Sequence, residues 1–108
     1  MIYNQVLNAM ILNNKLKKIL IDLCESHYVD KMYLFGSALT DNLKENSDID
    51  FLVKFKNFDL AKYFENYISL KENLSKLFNR NIDLVEEQAI KNPILVNSIN
   101  KSKELIYG

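Results

Sequence analysis

Three carboxylates interrupt stretches that otherwise have the pattern of buried strands. Asp48 and Asp50 open an apolar run that continues to Phe55, and Asp83 lies inside a second apolar run. Because side-chain direction alternates along a strand, residues two apart project from the same face. Two anions side by side on a packed strand cost stability unless a cation lies between them. The pattern therefore predicts a site for a divalent metal ion.

A glycine–serine pair ends the apolar run that precedes these carboxylates. Gly36 and Ser37 are separated from Asp48 by ten residues. Gly36 permits close backbone approach because it has no Cβ. Ser37 is expected to begin a short helix, where its hydroxyl, nearby N–H groups and the helix dipole favour phosphate. A metal site next to a phosphate site indicates nucleotide chemistry.

The position of Asp83 decides how many ligands the site has. If its strand pairs beside the strand that carries Asp50, all three carboxylates reach one face. Carboxylate oxygens suit Mg²⁺, which usually keeps several waters and binds substrate phosphates. Two such ions about 3.5–4 Å apart would clamp the attacking and leaving oxygens of a phosphoryl displacement. Asp48 and Asp50 would then bridge the metals, while Asp83 would bind one and accept the proton of the incoming hydroxyl.

Each of these features alone has a simpler explanation. An Asp-x-Asp at a strand start is more often a turn or a cap, a glycine–serine pair is weaker still, and Asp83 could be an exposed edge residue. Their combination in strand–GS–loop–DxD–helix–strand order is far more specific than any part.

Hydrophobic periodicity predicts an α/β fold (α+β in its helix placement) with a small mixed sheet packed with helices. We expect residues 14–108 to form the domain and residues 1–13 to form an arm of uncertain structure. Residues 38–47 are expected to hold about one helical turn and a polar loop. Asp59 and Asn92 are expected N-caps. The predicted helices are Asn14–His27, Leu60–Phe78 and Pro93–Asn100; the predicted strands are Lys31–Phe35, Ile49–Phe55, Ile82–Glu86 and Leu105–Tyr107.

Composition narrows the class of protein. A chain of 108 residues suits one domain, and its zero formal net charge argues against non-specific binding to nucleic acid. One cysteine cannot form an internal disulfide, so a reducing cytoplasm is the expected compartment. No apolar run approaches the roughly 20 residues of a membrane span, and the first residues lack a signal-peptide pattern, so no membrane partner is expected.

The stretch GSALTDNLKENSDIDFLV resembles the GSx10DxD signature of the DNA polymerase beta-like nucleotidyltransferase superfamily. The short chain is similar to its minimal nucleotidyltransferases, the MNT proteins. The resemblance implies a polymerase beta palm-like fold and Mg²⁺-dependent transfer of AMP from ATP to a hydroxyl. It gives Gly36 and Ser37 the nucleotide-binding role, Asp48 and Asp50 the metal role, and Asp83 the role of third carboxylate.

The same resemblance implies a partner. MNT proteins are commonly antitoxins of HEPN-domain ribonuclease toxins, which implies AMP transfer to a toxin tyrosine. Neutralisation by contact alone and transfer to another acceptor remain alternatives. We also expect the acceptor or a second subunit to complete the site, in a hetero- or homo-oligomer.

One residue departs from the family pattern. Many members carry arginine three residues after the signature serine, and here that position is Thr40. An arginine would neutralise triphosphate charge, so its absence predicts weaker nucleotide binding and slower transfer.

Overall fold

The computed structural model describes residues 13–36 and 48–108. This part of the chain contains three helices and four strands. Short 3₁₀ turns lie at Leu60–Lys62, before the second helix, and at Glu87–Ala89, before the third. The predicted α/β class is confirmed. The helices are α1 (Asn14–Ser26), α2 (Tyr63–Phe78) and α3 (Pro93–Ser102), and the strands are β1 (Val29–Phe35), β2 (Ile49–Phe55), β3 (Ile82–Glu86) and β4 (Glu104–Tyr107).

The four strands form one mixed sheet in the order β3-β2-β1-β4. β1 pairs antiparallel with both β2 and β4, whereas β2 and β3 run parallel. Parallel strands require a crossover connection, and α2 supplies it between β2 and β3. The predicted mixed sheet is therefore correct, and β3 lies at one edge of it.

α1 and α2 cover one face of the sheet. Leu20 and Cys24 of α1 and Leu70 and Leu74 of α2 are buried in the same apolar cluster as alternate strand residues. Leu52 is also buried but lies outside this cluster, because its side chain projects from the opposite face. The strand members of the main cluster are Val29, Met32, Leu34, Ile49, Phe51, Val53, Phe55, Ile82 and Leu84.

The helix starts follow the predicted caps, with one correction. Asn92 Oδ1 accepts hydrogen bonds from the backbone N–H groups of Ile94 and Leu95, at 3.0 and 3.4 Å, and proline follows it at the first helical position. Asp59 instead caps the 3₁₀ turn, accepting from the N–H of Ala61 at 3.0 Å. The predicted helix from Leu60 is thus α-helical only from Tyr63.

Other differences are small. β1 begins at Val29, two residues before its predicted start, because the wholly buried Val29 belongs to the same core. The predicted arm up to residue 12, Ser37, Thr40 and the predicted turn and loop at 38–47 lie outside the described residues. Within the described ranges, no helix is both long and apolar enough to cross a bilayer.

Candidate active site

The parallel register of β2 and β3 places two of the three carboxylates side by side. Asp50 and Asp83 are paired positions, so their side chains project from the same face of the sheet. The strands that carry them are neighbours, and neighbouring strands lie about 4.8 Å apart. Their neighbours Phe51 and Leu84 are buried in the core, which puts the carboxylates on the face away from α1 and α2. The pairing of β3 beside β2, which the sequence analysis left as a condition, is therefore present.

Asp48 lies at the start of β2. It immediately precedes the strand, and its residue is exposed. Alternation along an extended chain predicts that a residue two positions before Asp50 projects to the same side as Asp50. The backbone N–H of Ile49 donates to the carbonyl oxygen of Asn81 at 3.0 Å, which fixes the start of β2 against the start of β3. The structure therefore pairs Asp50 with Asp83 and places Asp48 immediately before the strand that carries Asp50.

Gly36 contacts the carboxylate of Asp50. It follows β1, whose last residue Phe35 is paired with Asp50, and its φ of +70° lies in the left-handed region. A Cβ at this position would overlap Asp50 Oδ2 and lie 3.1 Å from Cγ. The sequence predicts glycine here for close approach to phosphate, and the structure adds a second reason, since only glycine leaves room for the carboxylate.

Two tyrosines of α2 bind β3, a role that the sequence analysis missed. The hydroxyl of Tyr67 donates to the backbone carbonyl oxygen of Leu84, and the hydroxyl of Tyr63 donates to Glu86 Oε2 at 2.5 Å. Their rings pack against the core as the helical stripe predicts, and only the hydroxyls reach the strand. The i, i+4 spacing of tyrosines before a strand containing acidic residues is the signal that was available.

The environment of Tyr67 links this contact to the carboxylates. Burial raises the pKa of the Tyr67 phenol above its usual value, and the negative charges of Asp83 and Glu86 raise it further. Burial and the hydrogen bond to Glu86 likewise raise the pKa of Tyr63. Both phenols therefore remain protonated donors at neutral pH.

The carboxylates at this corner could provide part of the ligand set of a metal ion. In the part of the chain that the structure describes, no group of three or more His, Cys, Asp or Glu side chains forms a metal-binding cluster by itself. Asp50 and Asp83 nevertheless present hard oxygen ligands on one face, with Asp48 exposed nearby. This arrangement fits Mg²⁺, which is commonly held by one or two carboxylates together with water and substrate phosphates. The two-ion assignment stays a prediction.

Sequence relatives share most of this domain. A candidate protein adenylyltransferase of Methanocaldococcus jannaschii is 42% identical over 84 residues, which cover 77% of this chain and 80% of the relative. The protein adenylyltransferase MntA of Thermococcus cleftensis is 32% identical over 87 residues, covering 80% of this chain and 81% of that protein.

Solved structures share the fold. A minimal nucleotidyltransferase superposes with a TM-score of 0.68 at 25% identity, covering 82% of this chain and 86% of that chain. A complex from Shewanella oneidensis of a tri-AMPylated HEPN toxin with an MNT antitoxin contains a chain similar in fold, with a TM-score of 0.58 at 20% identity. That match covers 87% of this chain and 71% of the other.

The family match includes every residue of the carboxylate corner. The model of the polymerase beta nucleotidyltransferase family matches residues 14–108, which span Gly36, Asp48, Asp50 and Asp83. Because the match extends over most of the chain, this chain belongs to the polymerase beta nucleotidyltransferases.

Proposed function

We propose that this chain is a Mg²⁺-dependent adenylyltransferase that transfers AMP from ATP to a tyrosine hydroxyl of a HEPN-type toxin, and that it acts as the antitoxin of that toxin. The observation that carries the proposal is the pairing of Asp50 with Asp83 on one face of the sheet, with Gly36 packed directly against Asp50. Carboxylate oxygens beside a turn suited to phosphate are what this reaction requires, which supports the proposal.

The reaction is an in-line displacement at the α-phosphorus of ATP. The hydroxyl oxygen of the acceptor forms a bond to the α-phosphorus, and the bond from that phosphorus to the oxygen bridging the β-phosphorus breaks. Pyrophosphate leaves with the electron pair of the broken bond. The hydroxyl proton passes to a carboxylate, for which Asp83 is the proposed acceptor.

Each proposed residue has a distinct part in this step. Asp48, Asp50 and Asp83 would hold the magnesium, which supplies charge neutralisation at the attacking and leaving oxygens. Gly36 and Ser37 would hold the triphosphate through backbone N–H groups and the serine hydroxyl. Gly36 also leaves space for the Asp50 carboxylate, because a Cβ at this position would overlap it.

Two comparisons support the substrate and the partner. The Thermococcus cleftensis relative is named a protein adenylyltransferase, and the Shewanella oneidensis complex joins an MNT antitoxin to a HEPN toxin that carries AMP. Both names describe AMP attached to a protein acceptor.

Label transfer tests the proposal directly. The wild type, incubated with α-labelled ATP, MgCl₂ and a cognate HEPN-domain protein, is expected to label a tyrosine of that protein. Asp50→Asn and Asp83→Asn are expected to lower the rate by about 100-fold or more, because each removes a charged ligand from the reacting centre. Asp22→Asn, the same change at an exposed residue of α1, serves as the matched control.

The same variants separate catalysis from contact. If Asp50→Asn transfers no label yet still neutralises the HEPN protein, neutralisation occurs by binding and the transfer mechanism is wrong. If Asp50→Asn and Asp83→Asn transfer label as fast as Asp22→Asn, the carboxylate assignment is wrong.

A further inference from the structure

A groove begins at the carboxylate corner and runs between α2 and the edge of the sheet. Its volume is about 480 Å³, and its walls include both polar and apolar side chains. We call it the β3-side groove. Its walls include Asp48, Asn81 and Ile82 at the starts of β2 and β3, and Ile68, Lys71 and Glu72 on α2.

The order of the strands separates this groove from the phosphate turn. β2 lies between β1 and β3, so Gly36 at the end of β1 is on one side of Asp50 and the groove is on the other. An in-line displacement requires that the attacking and leaving oxygens lie on opposite sides of the phosphorus. With the pyrophosphate on the β1 side, the acceptor hydroxyl must approach from the β3 side.

The groove also borders the outer edge of β3. The Asn81 carbonyl oxygen accepts from the N–H of Ile49 in β2, and the direction of backbone groups alternates along a strand, so those of Ile82 face outward. Among the described residues, no strand pairs with this edge of β3. Such an edge accepts an extended segment by hydrogen bonding. Later in β3, the hydroxyl of Tyr67 donates a hydrogen bond to the outward-facing carbonyl oxygen of Leu84. An added segment could therefore pair with the backbone only near the start of β3.

Exposed apolar residues extend the groove along α2. Phe64 lies one helical turn before Ile68 on the same side of the helix and is 73% exposed. Leu60, in the preceding 3₁₀ turn, is 83% exposed. Large apolar side chains exposed in a row beside a polar groove are typical of a surface that binds another protein.

We propose that the β3-side groove holds an extended segment of the acceptor protein, with its reactive hydroxyl at the Asp48 end, and that Phe64 packs against the same protein. This inference rests on the proposed function and names the acceptor surface for it. Glu72 places negative charge in the groove on the α2 side, which disfavours a triphosphate there. Lys71 gives the groove a cation for an acidic residue of the segment.

Steady-state transfer kinetics test the groove, with separate KM values for ATP and for the HEPN-domain acceptor. Phe64→Asp and Lys71→Glu are expected to raise the KM for the acceptor about tenfold each and to leave the KM for ATP within about twofold. Ile94→Asp on α3, where the side chain is 80% exposed, and Lys18→Glu on α1 are the matched controls and are expected to behave as wild type.

Three results would overturn the groove assignment: an unchanged acceptor KM in both groove variants, an increased KM for ATP, or equal effects of the controls. If the wild type transfers no AMP, the proposed function fails and the groove is tested by binding instead. Titration calorimetry with the HEPN-domain protein then decides. Weaker binding of Phe64→Asp but not of Ile94→Asp supports the groove, and equal affinities contradict it.

Discussion

The Tyr67 hydroxyl donates a hydrogen bond to the backbone carbonyl oxygen of Leu84, the residue that follows Asp83. Tyr67 belongs to α2, so this bond fixes the distance between the helix and the edge strand at the peptide next to a candidate metal ligand. Its aromatic ring packs against the core at the same time. The position of the Asp83 carboxylate therefore depends on a side chain that does not itself touch the substrate.

Tyr67→Phe is expected to loosen that position while leaving the core intact. The substitution keeps the ring and removes one hydrogen bond, which costs about 1 kcal/mol in the free energy of unfolding. Because Asp83 is then less well positioned, the variant is expected to need a higher Mg²⁺ concentration for half-maximal transfer. Urea denaturation and a Mg²⁺ titration of the transfer rate measure the two effects.

Tyr63→Phe is the matched control for this experiment. It removes a tyrosine hydroxyl one helical turn before Tyr67. That hydroxyl donates to the side chain of Glu86, which lies three residues beyond Asp83. A similar loss of stability with an unchanged Mg²⁺ requirement is expected. If both variants require the same Mg²⁺ concentration as wild type, Tyr67 stabilises the fold without positioning Asp83.

Gly36→Ala is expected to disturb the site more than the fold. A Cβ would collide with the Asp50 carboxylate, and the φ of +70° disfavours any side chain. We expect a loss of about 1–2 kcal/mol in the free energy of unfolding, together with a fall in transfer rate of about tenfold or more because Asp50 must move. A time course of label transfer measures the rate, and urea denaturation measures the free energy of unfolding.

Gly108→Ala separates strain from displacement of the carboxylate. Gly108 also has a positive φ, +108°, and a Cβ there would crowd Asp30 and Lys31 near the opposite end of β1. This variant is expected to lose stability but to keep the KM for ATP and the transfer rate of wild type. Equal losses of transfer rate in both glycine variants would contradict a specific role for Gly36.

Local pattern was sufficient to predict part of the carboxylate corner. Alternation alone predicts that Asp48 and Asp50 share a face, whereas the pairing of β3 beside β2 was only a condition in the sequence analysis, and the register of the two strands meets it. The helical periodicity of α1 and α2 was equally direct. The shared face of Asp48 and Asp50 and the apolar stripes of α1 and α2 depend only on residues close together in the sequence, so hydrophobic periodicity and alternation are enough to predict them.

Contacts between distant segments were not predictable in this way. The stripe of α2 predicted that Tyr67 is buried, but periodicity gives no information on which group accepts from its hydroxyl. The fit of Gly36 against Asp50 likewise depends on the register between β1 and β2. The 3₁₀ turn at Leu60–Lys62 was missed because a capping aspartate precedes both kinds of helix.

Mg²⁺ is expected to stabilise the wild type because Asp50 and Asp83 are like charges in paired positions. In EDTA, Asp83→Asn should be more stable than wild type by up to about 1 kcal/mol, since the repulsion is removed. Added MgCl₂ should raise the free energy of unfolding of wild type, but much less that of the variant. Urea denaturation measures both, with NaCl at equal ionic strength and Asp22→Asn as controls. Identical Mg²⁺ responses of wild type and Asp83→Asn would show that the pair binds no metal.

Cys24 is expected to make the fold sensitive to alkaline pH. Its side chain is wholly buried, and burial, reinforced by the negative charge of Glu25, raises the pKa of the thiol from 9.0 to about 12. The folded-state pKa is higher than the unfolded one, so this contribution to stability is complete below pH 9.0 and is lost as the pH rises toward 12. Within that window the free energy of unfolding should fall by at most about 1.4 kcal/mol per pH unit from this group.

Urea denaturation of wild type and Cys24→Ala between about pH 8 and pH 10.5 isolates the contribution of the thiol. The alanine variant is less stable at neutral pH because it leaves a small cavity, but its stability should fall less steeply with pH. Tyr63 and Tyr67 also have raised pKa values and titrate in both proteins. The pKa of Tyr107 is raised partly by the charge of Cys24, so the difference between the two slopes measures Cys24 together with its coupling to Tyr107. Parallel pH profiles would mean that the thiol ionises equally well in the folded and unfolded chains, contrary to its burial between α1 and the sheet.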